Sequence, residues 1–172
     1  MRILIVTEYF YPDSFRINDL VKSFVSDGYE VTVLTGQPDY KTGFTPPEYR
    51  YPKNRRGVYG GVRVIRVPSV QRKTGTLRRA ASYGSFVLTA GAWAACRSKR
   101  TGRAPITSDA RRRGTGYDLV FCYQLSPVFQ LVPAMLAAAR SGCPLLCYCC
   151  DLWPESLKAW NVPETGAVYR AV

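Results

Sequence analysis

RILIVTEYFYPDSFRINDLVKSFVSDGYEVTVLT, residues 2–35, is the stretch that decides the fold. Arg2 to Thr7 is a β-branched, apolar run and reads as a buried strand. Glu8 to Asp13 is a loop containing Pro12. Ser14 then stands where a cap belongs, ahead of Ile17, Leu20, Val21, Phe24 and Val25, which recur at helical spacing. Gly28 supplies the C-terminal stop, and Glu30 to Thr35 forms a second strand. Strand, helix and strand within some 35 residues make a βαβ unit, whose right-handed crossover gives a parallel pair.

The same alternation continues. Gln37 to Gly61, rich in Pro, Gly, Tyr and Arg, has no period and reads as a long surface excursion. Val62 to Val67 predicts a third strand, placed toward a sheet edge where its arginines reach water. Leu77 to Arg97 predicts a helix, and 98–116 a basic loop or disordered insertion. Asp118 to Tyr123 is a fourth strand. Ser126-Pro127 offers a cap and a first-turn proline for a helix carrying Val128, Leu131, Val132, Met135 and Leu136, which Gly142 ends. Pro144 to Cys150 is a fifth strand, and Pro154 to Trp160 a short helix. The pattern predicts an α/β fold, a Rossmann-like, doubly wound parallel sheet of order 3-2-1-4-5. Ligands of such sheets bind beyond the carboxyl ends of the strands at the switch point. Those ends carry Glu8 to Tyr11, Gln124 to Ser126 and Asp151 to Trp153.

Composition narrows the chemistry. A chain of 172 residues, 47% apolar and 21% charged, fits one globular domain. No apolar run reaches a membrane span and no secretory leader is evident, so the reading is cytoplasmic. The net charge is +12, and 17 of the 24 Lys and Arg lie between Arg50 and Arg113 with one acid, Asp109. That block suits anionic lipid, nucleic acid or phosphorylated substrates, or is a solvated basic face. Histidine is absent, which removes the commonest general base and metal ligand and all Ser-His or Cys-His chemistry. Of the six cysteines, Cys147, Cys149 and Cys150 fall in one apolar stretch and read as buried, reduced residues of a strand; the paired hooks of a zinc site are missing. No metal is expected.

Phosphate-binding signatures fail as well. No glycine occurs between Glu8 and Arg16, so the dinucleotide fingerprint is missing after the first strand. Gly36 to Thr42 lacks the second glycine of a phosphate loop and follows the wrong strand. What remains for a phosphate is the first helix's N-terminus with Arg16 in its opening turn, where Arg16 either meets an anion or is solvated.

Glu8-Tyr9-Phe10-Tyr11-Pro12-Asp13 with Phe15-Arg16-Ile17-Asn18-Asp19-Leu20 resembles the opening of the family 4 glycosyltransferases of GT-B fold, especially the branch that builds bacterial capsule, O-antigen and colanic-acid-type polysaccharides. Gly61 to Pro68 resembles that branch's third strand, and Arg79 with Ser82-Tyr83 and Ser85-Phe86 its next helix. Asp118-Leu119-Val120 and Ser126-Pro127 fit the fourth strand and its turn, and Asp151 to Leu157 the segment after the fifth. The likeness covers nearly the whole chain in order and spacing.

The resemblance implies an enzyme that moves a sugar from a nucleotide-sugar to a lipid-linked glycan acceptor, with retention. It implies that residues 1–172 are the acceptor-side half of a GT-B fold, and that the C-terminal half, which in the family holds most of the donor and the glutamate pair, is missing from this chain. Such transfer needs no cofactor beyond the donor itself and no histidine, since the departing phosphate takes the acceptor proton. The expected acceptor-binding residues are Glu8, Tyr9, Tyr11, Asp13, Arg16, Asn18, Gln124, Ser126, Asp151 and Trp153. Glu8 and Asp151 accept hydrogen bonds from sugar hydroxyls or serve as loop carboxylates; Tyr9, Tyr11 and Trp153 stack on sugar or isoprenoid or pack the core. Arg78, Arg79, Arg97, Lys99 and Arg100 flank an apolar helix suited to an anionic membrane surface, the inner face of the plasma membrane, or to burial as the sheet's crossover. No specific nucleic acid is expected, only weak, salt-sensitive binding to polyanions. The alternative is a truncated, non-catalytic Rossmann-like module that binds membrane or a partner.

Overall fold

A computed structural model of the chain describes residues 1–97 and 116–152. The elements in chain order are β1 (Arg2–Val6), α1 (Ile17–Ser26), β2 (Glu30–Thr35), β3 (Arg56–Tyr59), β4 (Val62–Arg66), α2 (Thr76–Arg97), β5 (Leu119–Gln124), α3 (Leu131–Ser141) and β6 (Leu145–Cys149), with single 3-10 turns at Pro47–Tyr49 and Val128–Gln130. One six-stranded sheet runs β3-β4-β2-β1-β5-β6. Every pair is parallel except β3–β4. The five predicted strands thus stand in the predicted order, and one unforeseen strand is added outside the third.

β1 occupies the middle because Ile3, Leu4, Ile5 and Val6 can be buried on both faces at once. Leu4 and Val6 join Leu34, Val67, Val120 and Cys122 under Phe86, Ala90 and Ala94 of α2 and Ala134, Ala137 and Ala138 of α3. Ile3 and Ile5 face the other way, onto Ile17 and Val21 of α1 with Val31, Val33, Val62, Val64 and Phe121. Helices on both faces of a mostly parallel sheet make this a doubly wound, Rossmann-like layer. Alanines line α2 and α3 where they meet the sheet, which lets the helices lie close. Gly28 ends α1 at φ +80°, a conformation that costs an L side chain strain, and its N–H bonds the carbonyl of Val25.

Four expectations change. The excursion from Gln37 to Gly61 contains β3, which pairs with β4 across Gly60-Gly61; both glycines have positive φ, as a two-residue hairpin turn requires. β4 is therefore not an edge strand, and of its two arginines only Arg63 reaches solvent, while Arg66 is 6% exposed. A spacing of three residues puts Arg63 and Arg66 on opposite faces of a strand, so a single wet face never served both. The cysteine-rich strand β6 lies at the other margin with Leu146, Cys147, Tyr148 and Cys149 exposed among the described residues, so its cysteines are free and exposed, not buried. Lastly, neither Ser14 nor Ser126 caps a helix: Arg16 precedes α1 and Gln130 precedes α3, each without a side-chain cap bond. The basic stretch 98–115, the helix expected after Pro154, Lys99, Arg100, Trp153 and the side chain of Arg97 lie outside the described residues. Among the described residues no helix is long and apolar enough to cross a membrane.

Candidate functional site

The carboxyl ends of β1 and β2 converge on Glu8. Its carbonyl accepts the Gly36 N–H at 3.0 Å and the Thr35 hydroxyl at 3.0 Å. Its own N–H donates to Gln130 Oε1 at 3.3 Å, from the turn that precedes α3. Three elements therefore fix this backbone. The side chain is another matter: Glu8 is 2% exposed, and neither carboxyl oxygen has a hydrogen-bond partner. Burial pushes its pKa up to about 8, and the nearby Tyr9 hydroxyl and Arg72 guanidinium offset only part of that. Asp39, also buried and raised by its burial, adds a like charge and pushes the same way. At pH 7 Glu8 is a neutral acid that can donate one hydrogen bond and accept others.

Aromatic rings frame it. Tyr9 stacks on Phe15 at 5.9 Å between centroids and meets Tyr40 edge-on at 5.1 Å. The Arg72 guanidinium lies 4.7 Å from the Tyr40 ring centroid and 5.7 Å from that of Tyr9. The Arg72 backbone N–H donates to Asp39 Oδ2 at 2.6 Å, and the Tyr40 N–H donates to Asp13 Oδ2 at 3.3 Å. Asp13 and Asp39 thus hold two loops against the end of β1, and burial raises the pKa of both. From α2, Tyr83 approaches the same group and feels both Arg72 and Glu8.

The expected residues divide. Glu8, Tyr9 and Asp13 come together in this cluster. Asn18 is buried and spends its amide on the Asp13 carbonyl at 2.7 Å, fixing the entry to α1, while its Oδ1 is unpaired. Tyr11 is 40% exposed and stacks on Tyr59 at 4.2 Å. Arg16 is exposed at the start of α1, and Ser126 is half-buried after β5. Gln124 is buried and ties two segments: its Nε2 donates to the Asp151 carbonyl at 3.1 Å and its Oε1 accepts the Cys149 thiol at 2.8 Å. Asp151 thereby sits beside β5 at a second carboxyl end, half-buried. On α2, Arg78 is exposed and Arg79 half-buried. Asp39, Tyr40 and Arg72 were not foreseen, because they come from loops without a period; nor was Gln130, which sits among the apolar positions of the expected helix and in the 3-10 turn before α3. The only signal was the run of Tyr, Asp and Arg around the first two carboxyl ends.

Gly36 is the tightest point of the site. A Cβ there would sit 3.0 Å from the Glu8 carbonyl oxygen and 3.5 Å from Phe86 Cδ2, and the first of these is backbone. Gly36→Ala is expected to destabilise the protein by about 1–3 kcal/mol in urea unfolding, through strain and displacement of the Glu8 carbonyl. A substitution without cost would show that the backbone yields freely here.

The pattern of the glycosyl transferase 4-like domain matches residues 14–172. No curated protein matches the sequence. Among solved structures, CalG4, the calicheamicin glycosyltransferase, is similar at 15% identity with a TM-score of 0.45; the match covers 99% of this chain and 38% of that one.

Proposed function

The chain belongs to the glycosyl transferase 4-like domain family, and on that premise we propose that it is the acceptor-binding half of a glycosyltransferase that moves a sugar from a nucleotide-sugar to a lipid-linked glycan in cell-surface polysaccharide synthesis. The observation that carries this reading is Glu8: a buried carboxyl with no partner for either oxygen, at the carboxyl end of the central strand, ringed by tyrosines. A buried polar group left without a partner calls for a ligand or water to complete it. A sugar hydroxyl does so well, because it donates and accepts, and so does a neutral carboxyl. Tyr40, 46% exposed, supplies a flat face for the ring, and the buried Tyr9 backs it.

The protonation state also selects the role. A carboxyl titrating near 8 does not remove the acceptor proton at pH 7; it orients the hydroxyl by donating to it. The proton then goes to the departing phosphate of the donor, in keeping with a retaining reaction. The donor is held by a second domain of the enzyme, and this half needs no cofactor of its own. Exposed Leu77, Arg78 and Leu88 on α2 support a perch on an anionic membrane, where a lipid-linked acceptor would be met.

The test is transfer by the full-length gene product, with nucleotide-sugars and a lipid-linked acceptor. Glu8→Ala is expected to lower kcat/KM about 10- to 100-fold by loss of one acceptor hydrogen bond. Glu8→Gln, which still donates, keeps most of the activity at pH 7. Full transfer by Glu8→Ala would take Glu8 out of the site.

A further inference from the structure

Arg66 ends β4 in surroundings unusual for a cation. It is 6% exposed, and no carboxylate among the described residues pairs with it. Of the five N–H donors of a guanidinium, one donates to the Tyr11 carbonyl at 2.8 Å and another, weakly, to the Asn54 carbonyl at 3.4 Å. The buried Nε has no partner. The Tyr49 ring lies 4.8 Å from Cζ. Burial lowers its pKa from the ordinary value, with only Tyr49 and Tyr11 acting the other way. Carbonyl dipoles and a ring face offset part of a buried charge, and a full negative charge is what the place lacks.

The guanidinium lines a cavity of about 100 Å³ whose walls are Tyr11, Tyr49, Asn54, Gly57 and Tyr59. Arg66 also borders a second cavity of about 270 Å³ that carries Arg55 and Arg56. The sequence has no acid between Glu48 and Asp109, so this chain offers no neighbouring carboxylate from that stretch. The smaller cavity has room for a compact tetrahedral anion with a water or two, at roughly 30 Å³ per water, and is too small for a whole sugar nucleotide.

We propose that the Arg66 cavity is an oxyanion site, separate from the Glu8 carboxyl, that takes a terminal phosphate group. The free donors of Arg66 hold the phosphate oxygens, the tyrosines flank them, and Arg55 and Arg56 raise the local potential. The phosphate comes either from a lipid head group or from a soluble phosphate; the chemistry recognised is the same.

The experiment uses the whole chain and two variants. Arg66→Met removes the charge. Gly57→Ala leaves Arg66 in place and puts a methyl into the cavity, 3.7 Å from Nη1, an ordinary contact that the fold accepts. Inorganic phosphate is titrated by calorimetry, with thermal melts confirming that each variant is folded. Wild type is expected to bind saturably, Gly57→Ala severalfold more weakly, and Arg66→Met at least about tenfold more weakly, as loss of a charge-assisted contact requires. A second arm pellets the proteins with vesicles of phosphatidylcholine containing phosphatidic acid or, in its place, phosphatidylglycerol. If the source is lipid, both variants lose binding to phosphatidic acid, whose phosphate is terminal, and keep that to phosphatidylglycerol. If the source is soluble, vesicle binding is unchanged and only the phosphate titration moves. Absence of saturable phosphate binding by wild type, or unchanged affinity in folded Gly57→Ala and Arg66→Met, overturns the proposal.

Discussion

Glu8→Gln is expected to raise the melting temperature above pH 8 and to leave it near the wild-type value below pH 4.5. In the folded protein burial lifts this carboxyl from an ordinary 4.5 to about 8. Between those values the native state holds a proton that the unfolded chain has released, so stability falls as pH rises across the window and stays low above it. Gln has nothing to ionise and escapes that cost. A shift of this size corresponds to something on the order of 5 kcal/mol, or about 10–20 °C for a chain of this length. The same substitution tests the acceptor role from another side. Wild-type transfer should decline above pH 8 as Glu8 ionises and ceases to donate, whereas Glu8→Gln should run level through that range. A melting temperature that tracks wild type at every pH would show that the carboxyl is solvated in solution, and would remove the premise of both expectations. A stabilising change at Glu8 accompanied by altered transfer would be the mark of a site held under strain for function.

Phe86→Ala should be the most damaging single truncation in α2, at about 3–5 kcal/mol. The ring is fully buried among Leu4, Val6, Leu34, Val67 and Ala90, and it reaches the close approach at Gly36. Its loss leaves a void where the ends of β1 and β2 meet the helix. The damage travels to the site, because the same helix holds the segment after β4: the Ser85 hydroxyl accepts the Val70 N–H at 2.8 Å, and the Thr89 hydroxyl donates to the Pro68 carbonyl at 2.8 Å. That segment continues to Arg72. Urea unfolding measures the loss, with Leu88→Ala as the comparison; Leu88 is 74% exposed and should move stability by no more than about 0.5 kcal/mol. Equal effects at the two positions would show that α2 is not packed as described.

These two positions mark how far the sequence could be read. The βαβ opening was legible because Ile3 to Val6 and Val31 to Leu34 are apolar runs separated by a helix of clear period, and physics leaves such runs few alternatives. The same logic located Glu8, since the carboxyl end of the first strand is a place fixed by topology. The partners of Glu8 were beyond it. Asp39, Tyr40 and Arg72 reach the site from loops whose shape depends on long-range contacts such as Arg72 to Asp39, and no local period encodes them. β3 carried a readable signal in Gly60-Gly61, outweighed by a polar strand with one large exposed apolar residue, Val58. β6 misled for the opposite reason: Leu145 to Cys149 is apolar enough for a core, and its exposure follows from its rank in the sheet, which composition does not record.

The central place of β1 has a consequence for how the chain is made. One neighbour, β2, lies about 30 residues on; the other, β5, begins at Leu119. A ribosome working at roughly 5–20 residues per second needs on the order of ten seconds to cover that interval. Throughout it the most apolar strand of the protein has one flank open, and α2 has been synthesised before α3 exists to complete its face. Closing so long a loop adds little to the equilibrium cost but delays the event. Nascent chains of this protein therefore pass through a prolonged, sticky half-sheet, and holdase chaperones should be found on them until Gln124 has cleared the exit tunnel.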